Sequence, residues 1–77
     1  MRHAINWNDV AHRTLEAMEA RNMEPKELAY RAGISKMTVY KILKPEPVTL
    51  DSICSIADAL NTTPDFLLGY RERKGQI

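Results

Sequence analysis

Leu28-Ala29-Tyr30-Arg31-Ala32-Gly33-Ile34-Ser35-Lys36-Met37-Thr38-Val39-Tyr40-Lys41-Ile42-Leu43 is the stretch whose reading decides the fold. Leu28, Ala29 and Ala32 lie on one face of a short helix. Gly33 can take a left-handed conformation and ends that helix. Ser35 then offers a side-chain oxygen to the free N–H groups of a new one. Val39, Ile42 and Leu43 fall at i, i+3 and i+4, so they share a buried face. Lys36, Met37, Tyr40, Lys41 and Lys44 point the other way. The pattern predicts two short helices joined by a tight turn at Gly33-Ile34-Ser35. Ile34 plugs the gap between the helices, and the second of them has a basic outer face.

The flanking sequence is helical as well. Upstream, Asn6 can cap a helix over 7–21, with Asp9 near its positive end. Its apolar positions are Trp7, Val10, Ala11, Leu15, Ala17 and Met18. Pro25 suits the first turn of the second helix, where its missing N–H would be unpaired anyway. Downstream, Pro45 stops the third helix, and Pro45-Glu46-Pro47 makes a stiff loop. Thr49 caps a fourth helix with the stripe Ile53, Ile56, Ala57 and Leu60, ended by Asn61. Thr63 caps a short fifth segment with Pro64 at its first position and Gly69 as its stop. Five capped apolar stripes and no strand pattern predict an all-α domain over residues 7–69. Residues 70–77 read as a basic, flexible tail.

Composition narrows the classes. The chain has 77 residues, which allows one domain, and 44% are apolar. A single cysteine, Cys54, rules out an intrachain disulfide and a cysteine-based metal cluster. It lies beside the apolar stripe of the fourth helix and reads as a small core thiol. No apolar run approaches the ~18 residues of a membrane span. Met1 to Asn6 lack a signal-peptide pattern, so the expected setting is cytoplasmic. His3 and His12 have no metal-ligand company. Asp51, Ser52 and Asp58 form no catalytic set. Neither a cofactor nor an enzymatic activity is expected.

Charge placement says more than the net +1. Residues 21–44 hold Arg21, Lys26, Arg31, Lys36, Lys41 and Lys44 against Glu24 and Glu27, net +4. Residues 45–70 hold only Glu46, Asp51, Asp58 and Asp65, net −4. A domain with one basic side suits a polyanion partner. A short helix, a turn and a second helix with a basic outer face form the helix-turn-helix plan, whose second helix enters the DNA major groove.

Four segments in order resemble the Cro/CI-type (XRE) phage repressor family. Leu28-Ala29-Tyr30-Arg31-Ala32-Gly33-Ile34-Ser35 is similar to that family's LA-x-x-x-G-[VI]-S core. Thr38-Val39-Tyr40-Lys41-Ile42 follows. Ile53-Cys54-Ser55-Ile56-Ala57-Asp58-Ala59-Leu60-Asn61 resembles its fourth helix, and Thr63-Pro64-Asp65-Phe66-Leu67-Leu68 its closing turn. The resemblance covers about residues 7–69 and implies a five-helix, lambda-repressor-like DNA-binding domain. It further implies base contacts from Lys36, Met37 and Lys41, with Tyr40 close by. Phosphate contacts would come from Ser35, Thr38 and Lys44. A repressor reading a double-stranded DNA operator as a homodimer is the expected function. The expected dimer contact is the closing turn, through Leu68 and Tyr70. The alternative is the same fold used mainly to bind a protein partner, as in an antitoxin-like or adaptor protein.

Two features depart from the family pattern. The second helix often opens there with Thr/Asn-Gln, which bonds a phosphate, whereas this chain has Glu24-Pro25. Proline has no N–H to offer and glutamate repels phosphate. The reading is therefore weaker backbone anchoring, partly compensated by Lys26. Many members also pair a first-helix arginine with a glutamate at the end of the third helix. Met18 and Leu43 occupy those places, an apolar pair in place of an ionic one.

Overall fold

A computed structural model describes residues 5–69. Five helices appear in the order α1 (Trp7–Ala20), α2 (Pro25–Ala32), α3 (Lys36–Leu43), α4 (Leu50–Ala59) and α5 (Pro64–Leu68), with no strand among the described residues. Their starts are the predicted caps. Asn6 accepts from the backbone N–H groups of Asn8 and Asp9, Ser35 from Thr38, Thr49 from Ser52 and Thr63 from Phe66. Pro25 and Pro64 open α2 and α5, where no intrahelical N–H is lost. Gly33 and Gly69 close the same two helices at φ +72° and +86°, conformations that cost a residue with a β-carbon ~1–2 kcal/mol.

The helices wrap one core. α1 packs on α3 and α5, α2 on α3 and α4, and α4 on α5. Val10, Met18, Leu28, Val39, Ile42, Ile53, Ile56, Leu60 and Leu67 are buried at its centre. Ile34 packs partly against the core from the α2–α3 turn, as its plug role requires. The tail expected at 70–77, Tyr70 included, lies outside the described residues.

Two expectations are corrected. Leu15, placed in the α1 stripe, is 45% exposed, while Thr14 is fully buried. At ~100° per residue, Thr14 falls between Val10 and Met18, one turn from each, at the middle of the buried stripe. Leu15 falls at its margin. Cys54, read as a core thiol, is exposed. It is one turn after the exposed Leu50 and one turn before the exposed Asp58, so it belongs to the outer face of α4.

Candidate nucleic-acid interface

α3 is held from beneath by Val39 and Ile42, neither of which is exposed at all. That anchoring fixes which way the opposite side looks. Lys36, Met37, Tyr40, Lys41 and Lys44 are all exposed, Met37 at 71% and Tyr40 at 47%. Together they make one surface, basic at both ends with a thioether and a phenol between. Lysine can donate to guanine O6 or N7, and methionine can pack on a thymine methyl.

The Ser35 and Thr38 hydroxyls meet at the start of this helix. Ser35 Oγ accepts from the Thr38 N–H at 3.2 Å and lies 3.1 Å from Thr38 Oγ1. The two hydroxyls thus form the cap itself, and each retains capacity for a further partner. Thr38 and Lys41 also border a cleft of about 250 Å³ against the start of α4, with Pro47, Val48, Thr49 and Ser52 on its far side.

A stretch matching the Cro/C1-type HTH DNA-binding domain covers residues 15–72. The chain belongs to that family. No curated protein and no solved structure matches it. Membership makes the chain a DNA-binding regulator in the general sense of the family. Within the Cro/C1-type match lie the end of α1, all of α2, α3 and α4, and the whole of α5.

The α2 side of the domain is less open to an anion. Glu24 precedes α2 without a side-chain cap bond, and Pro25 takes the first helical position. Lys26 shares a shallow depression with Asn22, Glu24, Glu27 and Tyr30, so two carboxylates offset its charge. Arg31 is engaged in turn by Glu27 at 2.9 Å, an exposed pair of small energetic worth. Lys36 and Lys41 on α3 and Lys44 directly after it are all exposed, whereas Lys26 and Arg31 have carboxylates beside them.

Tyr30 was missed as a candidate. It stands 87% exposed on α2, one turn from Lys26. The signal was its position opposite the Leu28–Ala32 stripe, where an aromatic side chain has no core to enter. Leu68, expected at a dimer contact, packs partly against the core, and Tyr70 lies outside the described residues. Among the described residues, no three of His, Cys, Asp and Glu are grouped to hold a metal. No described helix is long and apolar enough to cross a membrane.

Proposed function

We propose that the chain is a cytoplasmic, sequence-specific repressor, encoded by a prokaryote or a phage. It reads an operator in the major groove with α3. Lys36, Met37, Tyr40 and Lys41 address base edges. Lys26, Ser35, Thr38 and Lys44 grip phosphates and set the register. Residues 7–69 form the DNA-binding unit, and two copies bind adjacent half-sites about one DNA turn apart. The observation that carries this reading is the exposed, lysine-bearing side of α3 on a helix whose other side is locked into the core.

A gel shift against the DNA flanking the chain's own gene tests it. Lys36→Ala with Lys41→Ala is expected to weaken operator binding by about tenfold or more, since each base-reading lysine contributes ~1–3 kcal/mol. The fold should be unaffected, because both positions face outward. Operator affinity unchanged in the double variant refutes the assignment of the reading face.

Exposed Met37 and Tyr40 favour one second reading, in which the same surface meets an acidic protein. The two readings separate on salt and sequence. Operator binding falls steeply with salt and discriminates between duplexes. The adaptor reading predicts weak duplex binding that is indifferent to sequence.

A further inference from the structure

The groove between α1 and the end of α3 is surface that DNA reading leaves unused. It has a volume of about 260 Å³ and is lined by the apolar Ala11, Leu15, Leu43 and Pro45, with Asn8, His12, Glu16 and Glu19 beside them. Leu15 and Pro45 are the exposed apolar side chains of the set, and both glutamates are exposed. Apolar side chains bordered by two carboxylates fit a cationic segment whose methylene stems lie on the groove and whose charged heads reach the rim. The chain carries such a segment in Arg71-Glu72-Arg73-Lys74.

Where that segment departs is set by α5. Gly69 ends the helix against α1, and a β-carbon there would lie 3.2 Å from Nη1 of Arg13. Glu16 is three residues after Arg13 on the same helix, a spacing that puts their β-carbons ~5–6 Å apart. Glu19 follows one turn further on. Asp9, 3.8 Å from Arg13, offsets the like charge that a cationic segment would otherwise meet at its point of departure. An extended chain covers ~3.3 Å per residue. Residues 71–74 are therefore within reach of both glutamates along the surface of α1.

The geometry points to α1 as the docking site of the chain's own basic segment, Arg71–Lys74, seated in the groove with its cations on Glu16 and Glu19. Docked there, those cations are withheld from DNA phosphates. α1 and DNA compete for them, and the competition lowers affinity for DNA of any sequence.

Four proteins test this: the full chain, a chain ending at Tyr70, and each of these with Glu16→Gln and Glu19→Gln. The first readout is nuclear magnetic resonance of the Leu15 methyls and the amides of residues 12–19. At ~20 mM salt, shortening the chain is expected to shift these signals. The difference should not depend on protein concentration, should shrink at ~0.5 M salt, and should vanish in the glutamine background. The second readout is affinity for a random-sequence duplex. The glutamine pair should raise it several-fold more in the full chain than in the shortened one. No spectral change on shortening, or an equal effect of the glutamines in both chains, overturns the proposal. A shift that grows with protein concentration also overturns it, because the groove then holds the segment of a second copy.

Discussion

Thr14 places a hydroxyl in the middle of an apolar core, and its Oγ1 is buried with no hydrogen-bond partner. A buried polar group left unpaired costs ~1–3 kcal/mol, while an apolar replacement of the same shape removes that cost. Thr14→Val should therefore stabilise the fold by ~1 kcal/mol, raising the thermal midpoint by roughly 4–8 °C for a chain of this size. A thermal melt checks it, and an unchanged or lowered midpoint means the hydroxyl is satisfied. Leu15 is the more hydrophobic of the two neighbours, and hydrophobicity alone favours it for the core over Thr14. Helical phase decides here, and the phase is fixed by Val10 and Met18 one turn to either side.

At the scale of elements, α1 and α3 meet with Met18 buried and Leu43 half-buried. Leu43 borders the groove that also holds Glu16 and Glu19. A carboxylate at 43 would be partly desolvated and would face like charge. Leu43→Glu should destabilise the fold by ~1–3 kcal/mol. Adding Met18→Arg should recover part of that loss by restoring the ionic pair common in the family. Paired thermal melts check both steps, and absence of recovery means the two side chains are not neighbours. The helices themselves were legible in the sequence because their boundaries are set locally. Asn6, Ser35, Thr49 and Thr63 each cap within three residues, and Gly33 and Gly69 each stop a helix. The exposure of Cys54 was not legible, since it depends on which side of α4 its neighbours leave uncovered.

For the whole molecule, charge is divided between a basic α3 and carboxylates carried mainly elsewhere, so a chain of net +1 can still bind a polyanion. Its proposed homodimer rests on the closing turn. Leu67 is committed to the core, Phe66 and Leu68 pack partly against it, and Tyr70 follows two residues after Leu68 in sequence. Tyr70→Ala is expected to lower affinity for a palindromic operator and flatten the binding curve. The α3 surface is untouched by that change, so affinity for a single half-site should stay the same. A titration of both duplexes checks it, and unchanged steepness on the palindrome moves the dimer contact elsewhere. The α3 surface was readable in advance because a regular helix with a known buried side has a known outer side. The α1–α3 groove was not, because it is made by two segments nearly thirty residues apart.

Cys54 turns out to be a ruler. Each chain has one thiol, on the outer side of α4, an element that carries none of the residues assigned to DNA. A spin label attached there marks each copy once, without a background to subtract. On a duplex whose two half-sites are about 34–36 Å apart, two bound copies then give a single label-to-label separation. Moving the half-sites by one base pair at a time rotates one copy about the DNA axis relative to the other. The separation should trace a helical path if each copy follows its own half-site. It should stay constant while binding weakens if the two are held to each other.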